Sequence, residues 1–248
     1  MPQRVSRETN VLDSEWLSKV CMSAGLILND TQLCKLRDYV KELLSWNKKI
    51  NLISRKDEQN IWYSHILHSI SPIIHAKFQE QSNIVDIGAG GGLPAVPLKI
   101  MFPEISIVCI ESVSKKCFAL KNIIANLELK NMEVICERAE KLILSIDFRE
   151  KFDYGVARAV TTLDILTKWT FPFLKKQKSE LTFTNHNEGG KFFINPPALI
   201  AYKGGNIEEE LKKAKRKFKH SRFDVIDLSI SYNNVSLLVD KKIVVVYF

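Results

Sequence analysis

The residues Asp86-Ile87-Gly88-Ala89-Gly90-Gly91-Gly92-Leu93-Pro94 carry the densest chemical signal in this 248-residue chain. Gly88, Gly90 and Gly92 follow directly on a β-branched run and precede an apolar run of helical spacing. Pro94 is offered as the first helical position, where no intrahelical amide is needed. Glycines permit left-handed backbone angles and let main chain approach a ligand that a side chain would hold off. A dinucleotide fingerprint requires a further glycine three places after the second, where Leu93 stands, and a phosphate-binding P-loop requires Gly-Lys-Ser/Thr, which is absent. Phosphate ligands are thereby disfavoured. A ligand of another kind, or a purely structural tight turn, remains. Glu111 narrows the choice, because a carboxylate ending the second strand of such a fold can accept hydrogen bonds from both ribose hydroxyls of a nucleoside. Its alternative role is to cap the helix that begins near Ser114. Asp86, at the end of the preceding strand, frames the same cleft.

Those residues need a scaffold, and the hydrophobic pattern supplies one. From residue 11 to about 78 the apolar positions recur at three- and four-residue spacing (Leu12, Trp16, Leu17, Val20, then Leu33, Leu36, Val40, Leu43, Leu44), which predicts helices. Asp13 or Ser14 is a suitable cap for the first helix and Asp30 or Thr31 for the second, with Gly25 and Asn29 in the connection. Beyond Gln79 short β-branched runs (83–87, 105–110, 132–136, 152–156, 198–203) alternate with helical stretches (94–102, 114–129, 162–173, 207–219). Strand-helix alternation of this kind builds a mostly parallel, doubly wound sheet. Two last runs, 223–230 and 235–248, joined around Ser231-Tyr232-Asn233-Asn234, read as a hairpin or antiparallel edge, so seven strands are available. The expected organisation is a helical layer over residues 1–78 packed on a Rossmann-like α/β core over residues 79–248. Residues 175–197 form a long polar loop or hairpin insertion ahead of the fifth strand.

Composition sets the outer bounds. At 46% hydrophobic residues the chain can bury one sizeable core, and no apolar run reaches the roughly 18 residues that a membrane span needs. Five cysteines, an odd number without a C-x-x-C pair, are expected to be reduced and mostly buried, in keeping with a soluble, cytoplasmic monomer. A net charge of +8 favours a polyanionic partner. The basic run Lys212, Lys213, Lys215, Arg216, Lys217, Lys219 and Arg222 follows Glu208-Glu209-Glu210 and reads first as a solvated helix face whose charges suit the helix dipole. Lys48, Lys49, Arg55 and Lys56, beside Trp46, are the preferred candidates for contact with such a polyanion. His65 and His68 lie one helical turn apart without acidic or thiolate company, so no metal site is expected.

The acid-x-Gly-x-Gly-x-Gly turn resembles that of S-adenosylmethionine-dependent methyltransferases of the seven-stranded class I fold. Four further segments occur in order with it: Trp46-Asn47-Lys48-Lys49-Ile50-Asn51-Leu52, Glu111-Ser112-Val113-Ser114-Lys115-Lys116, Arg138-Ala139-Glu140 and Arg158-Ala159-Val160. Together, over roughly residues 33–213, they closely resemble the ribosomal RNA small subunit methyltransferase G family, also called the glucose-inhibited division protein B family. The resemblance implies methyl transfer from S-adenosyl-L-methionine to N7 of a guanine in 16S ribosomal RNA, with that RNA or the small-subunit particle as partner. It implies that Asp86, Gly88, Gly90, Gly92 and Leu93 hold the methionine end and the turn. Glu111 would take the ribose, Ala139 and Glu140 would lie by the adenine, and Arg158 would close the site. Guanine N7 already offers a lone pair, so positioning should dominate and no catalytic His or Cys is required. Two features depart from the family pattern. Ser64-His65-Ile66-Leu67-His68-Ser69 stands where the family usually shows Arg-His followed by Asp-Ser, and the insertion replaces a brief turn. Asn195-Pro196-Pro197 superficially matches an amine-holding loop of other methyltransferases, but it precedes the fifth strand instead of following the fourth.

Overall fold

A computed structural model describes residues 12–176 and 191–248. The apolar stripe from Leu17 to Cys21 forms α1 (Ser14–Ser23), capped by Asp13, whose carboxylate accepts from the Trp16 amide. The second stripe forms α2 (Asp30–Asn47). Its cap is Asn29 and not Asp30 or Thr31: the Asn29 side chain accepts from the Gln32 amide at 2.8 Å while Gln32 reaches back to the Asn29 amide at 3.0 Å. That reciprocal pair satisfies two orphan amides, which a cap one residue later could not do with Leu33 at its third position.

After α2 the chain runs through a 3₁₀ turn (Arg55–Asn60), a π-helical turn (Trp62–Leu67) and α3 (His68–His75) to a short strand, β1 (Ala76–Phe78). The central elements follow: β2 (Asn83–Ile87), α4 (Ala95–Met101), β3 (Ser106–Glu111), α5 (Ser114–Asn126), β4 (Met132–Cys136), α6 (Ala139–Leu142), β5 (Tyr154–Arg158) and α7 (Leu163–Thr170). Then come β6 (Phe192–Ile194), β7 (Ala198–Gly204), α8 (Glu208–Lys217), β8 (Arg222–Asp227), β9 (Ile230–Tyr232), β10 (Val235–Leu237) and β11 (Lys241–Tyr247).

Seven strands form the sheet in the order β4-β3-β2-β5-β7-β11-β8. The first five are parallel, and β11 runs antiparallel to both neighbours. Strand order reverses at β2, which lies between β3 and β5, so the crevice of this doubly wound sheet opens at the carboxyl ends of those strands. Alternation sends Ile84, Tyr154, Val156, Ile200 and Tyr202 into a core shared with α1–α4, and Val85, Ile87, Ala157 and Leu199 into a second core on the other face. The N-terminal helices thus bury the same hydrophobic cluster as one face of the sheet.

Two expectations are corrected. The C-terminal run 235–248 is two strands, broken where Leu238 takes a φ of +55°. Asn233 and Asn234, at φ +48° and +61°, turn only the small β9-β10 hairpin, while the long antiparallel partner of β8 is β11. Consecutive positive φ values suit asparagine and match the twist of a two-residue hairpin. Secondly, the described end of the 175–197 insertion is a strand: β6 pairs parallel with β1, and residues 177–190 lie outside the described residues. The cysteines are free and mostly buried, as expected: Cys21, Cys109 and Cys117 are buried, whereas Cys34 and Cys136 are exposed. Cys136 belongs to β4, an edge strand with one uncovered side. No described helix is long and apolar enough to cross a membrane.

Candidate active site

The glycine turn joins β2 to α4. Gly88, Gly90 and Gly92 all have positive φ, at +72°, +56° and +94°. The Gly88 and Ala89 amides donate to the Ile110 carbonyl at 2.8 and 3.0 Å, tying the turn to the end of β3. A methyl group on Gly90 would meet nothing closer than the Gly88 carbonyl oxygen at 4.0 Å, so open ground lies before this residue. Gly91 faces the other way. A Cβ there would stand 2.6 Å from Leu43 and 3.2 Å from Leu52, and its carbonyl accepts from the Tyr39 hydroxyl at 3.0 Å. One side of the turn is therefore free for a ligand, and the other is the seat of the N-terminal helical layer.

Glu111, at the end of β3, is 6% exposed. Its Oε2 accepts from the Gly90 amide at 3.0 Å and its Oε1 from the Val113 amide at 2.8 Å. The ribose candidate is thus also a local cap and a clasp on the turn, and each oxygen keeps a second lone pair for further donors. Leu93 is buried in the core below, and Ala139 is buried at the start of α6 against Ile110 and Val85, with Glu140 half-exposed beside it.

On the sheet face covered by the N-terminal helices, Asp86, Arg158 and Tyr202 stand at the ends of the adjacent strands β2, β5 and β7. Asp86 is fully buried, and neither carboxylate oxygen has a hydrogen-bond partner. Burial pushes its carboxyl up to about 7, against the opposing pull of the Ala95 amide, which is near but outside hydrogen-bond geometry, and of the Arg158 charge; Glu111 adds to the rise. Arg158 forms no ion pair with Asp86 or Asp153; Asp153 is held by Lys175 at 2.8 Å. The Arg158 guanidinium instead donates from Nη1 to the His65 carbonyl at 3.3 Å and to Ser69 Oγ at 3.2 Å, and from Nη2 to His65 Nδ1 at 2.5 Å. Tyr202 donates to the Ser69 carbonyl at 2.7 Å. A half-buried guanidinium and a fully buried carboxyl thus lie on one face of the sheet, neither with an opposite charge in contact, in surroundings where an uncompensated charge is costly. The arrangement fits the ammonium and carboxylate of an amino-acid group.

The sequence singled out Asp86, Gly88, Gly90, Glu111 and Arg158, and the structure brings them together. Tyr39, His65, Ser69 and Tyr202 were missed as members of the site. His65 and Ser69 lay in the segment noted for its departures, but nothing in their spacing indicated that a strand 93 positions later would reach them. Lys48, Lys49, Arg55 and Lys56 are exposed, on the stretch that carries Leu52 onto Gly91. Lys49 Nζ lies 4.9 Å from the centre of the half-buried Trp46 ring, which meets exposed Phe118 edge-on at 5.7 Å. The basic run on α8 is partly spoken for: Lys213 and Lys217 pair with the buried Asp164 of α7, and Lys212 with Glu209.

Comparison with known proteins shows the family and the fold. Residues 32–237 match the family described as rRNA small subunit methyltransferase G. The ribosomal RNA small subunit methyltransferase G of Staphylococcus epidermidis is 35% identical over 200 residues, covering 81% of this chain and 75% of that one. Its counterpart in Staphylococcus aureus strain JH9 is 33% identical over 201 residues, with 81% and 76% covered. Among solved structures, the O-methyltransferase from Bacillus cereus in complex with SAH shares the fold, with a TM-score of 0.53 and 15% identity over 95% of this chain and all of that one. By that match over residues 32–237 and these identities, this chain belongs to the ribosomal RNA small subunit methyltransferase G family.

Proposed function

We propose that this protein transfers the methyl group of S-adenosyl-L-methionine to N7 of a guanine in 16S ribosomal RNA. The observation that carries the reading is the polarity of the cleft around Gly90: Glu111 on the nucleoside side, and the uncompensated Asp86 and Arg158 on the amino-acid side. S-adenosylmethionine, when bound, supplies a methyl group on a sulfonium. Glu111 accepts the ribose hydroxyls, and Ala139 and Glu140 bound the adenine. Arg158 donates to the methionine carboxylate, while Asp86 supplies the countercharge to its ammonium. Gly88, Gly90, Gly92 and Leu93 shape the floor.

Guanine N7 would supply its own lone pair to the methyl group, so the reaction would ask no proton transfer of the protein. No side chain has to accept a proton. What the protein contributes is alignment, which can supply roughly 7–11 kcal/mol of the barrier. Lys48, Lys49, Arg55 and Lys56 hold the RNA backbone at the rim, fixing its orientation. The substrate is 16S RNA or the small-subunit particle.

Two measurements test this. Calorimetry should detect S-adenosylmethionine binding, and absence of heat at high micromolar cofactor would overturn the enzyme reading. Mass mapping of small-subunit RNA from a deletion strain should show loss of one N7-methylguanine, restored by the wild-type gene; an unchanged map would overturn the substrate.

A further inference from the structure

Arg158 offers only N–H donors, so whatever contacts it must present lone pairs. His65 Nδ1, 2.5 Å from Nη2, is therefore the unprotonated nitrogen of its ring, and the ring's single proton lies on Nε2. That Nε2 is 3.6 Å from Asp57 Oδ2, beyond a direct hydrogen bond but close enough for the carboxylate to favour the Nε2–H tautomer. The rest of the grip comes from that π-helical turn and from the first turn of α3. The His65 carbonyl and Ser69 Oγ accept from Nη1, and the Ser69 hydroxyl donates to that carbonyl at 2.7 Å. Asp57 sits on the 3₁₀ turn Arg55–Asn60, which Ser54 caps and which Asn47 anchors by donating to Glu58 at 2.6 Å.

Every acceptor on Arg158 is neutral. No carboxylate among the described residues comes within ion-pair distance, so the guanidinium is oriented without being neutralised. A carboxylate in place of His65 would orient it equally well but would compete with an incoming anion. The Asp57 charge acts through the ring, one residue removed. Burial holds the His65 imidazole down to about 4, so it stays an acceptor across the working pH range.

We propose that Asp57 and His65 form a brace that aims Arg158 at the carboxylate of the cofactor's amino-acid end, making both of them positioning residues for methyl transfer. The proposal rests on the reading that Arg158 binds that carboxylate. Its test compares two ligands by calorimetry: S-adenosylhomocysteine, which carries the amino-acid group, and methylthioadenosine, which shares the nucleoside and thioether but lacks it. Wild type should prefer the former. Arg158→Gln should abolish the preference, His65→Leu should reduce it roughly tenfold, as expected for loss of a charge-assisted hydrogen bond, and His65→Asn, which keeps an acceptor near the Nδ1 position, should retain most of it. Asp57→Asn, nearly isosteric and part-exposed, should reduce it by about threefold, as for a weak outer contact. Affinity for methylthioadenosine and KM for RNA should be unchanged in all of these variants.

Equal weakening of both ligands by His65→Leu, or no weakening of either, would overturn the brace. If Arg158→Gln leaves the preference intact, the assigned partner of Arg158 is wrong and the brace falls with it. Absence of binding of either ligand to wild type would instead remove the methyltransferase reading itself.

Discussion

Asp86, buried under the glycine turn with two unsatisfied oxygens, makes stability depend on pH in an unusual direction. Its folded-state value of about 7 lies above the ordinary carboxylate value of 3.8, so the folded chain holds a proton that the unfolded chain releases between those limits. Stability from this residue is complete below the unfolded value and is lost as pH rises through 7. His65 and His68, held down to about 4 and about 3 chiefly by burial, act oppositely: they stabilise above 6.5 and lose that contribution as pH falls through their folded values. With two imidazoles against one carboxyl, stability should rise from about pH 4 to 6.5 and then decline slightly toward neutrality. Asp86→Asn should remove the decline and raise stability at about pH 8 by up to a few kcal/mol, read from urea midpoints across pH. A decline that persists in the variant assigns it to another group. Glu111→Ala frees the Gly90 and Val113 amides together. It should cost about 1–3 kcal/mol of stability and weaken S-adenosylmethionine binding by more than tenfold in calorimetry. Wild-type affinity in that variant would remove Glu111 from the ribose site. The identities of these acids were legible in the sequence, because strand ends and glycine spacing are local features. Their protonation was not, because burial of Asp86 depends on α2 and α3 closing over it.

Adjacent glycines of the turn answer to different elements. Gly91→Ala places a methyl 2.6 Å from the Leu43 side-chain end and 3.2 Å from Leu52 Cβ, so the buried Leu43 side chain must turn aside and the Leu52 segment must give slightly. It should lower stability by about 1–3 kcal/mol, as overpacking does, seen as a fall in Tm. Gly90→Ala meets no neighbour but must keep a φ of +56°. The expected cost is about 1 kcal/mol of backbone strain, together with a larger loss of cofactor affinity because the methyl enters the open side. The reverse ranking, with Gly91→Ala impairing binding and leaving Tm unchanged, would show that the helical layer does not rest on Gly91. At this scale the pattern of alternating strands and helices was readable, since apolar periodicity follows directly from backbone geometry. The split of 235–248 into β10 and β11 was not: a continuous β-branched run conceals the turn at Leu238, whose position is set by pairing of β11 with both β7 and β8.

For the molecule as a whole, the net charge of +8 is distributed unevenly in function. On α8 the lysines Lys213 and Lys217 hold Asp164, and burial raises while those lysines and Thr162 lower its carboxyl, leaving it well below the usual range. Lys48, Lys49, Arg55 and Lys56 are exposed. Replacing these four with glutamine should weaken RNA binding and flatten its salt dependence by up to roughly 3 log units per decade of salt, about 0.7 for each phosphate that is no longer neutralised. The same number of glutamines at Lys130, Lys151, Lys168 and Lys219 should change the slope little; equal flattening would place RNA elsewhere. The sequence by itself determined the alternation of strands and helices, the glycine turn, the two strand-end acids and the family, because each is written in residue types over short spans. Only the tertiary structure decided that Gly91 is a seat for α2, that Cys136 is exposed, and that Arg158 rests on a neutral His65 with Asp57 behind it. The physical reason is distance along the chain: Arg158 and His65 are 93 positions apart, and a contact of that span is set by how the helical layer closes over the sheet.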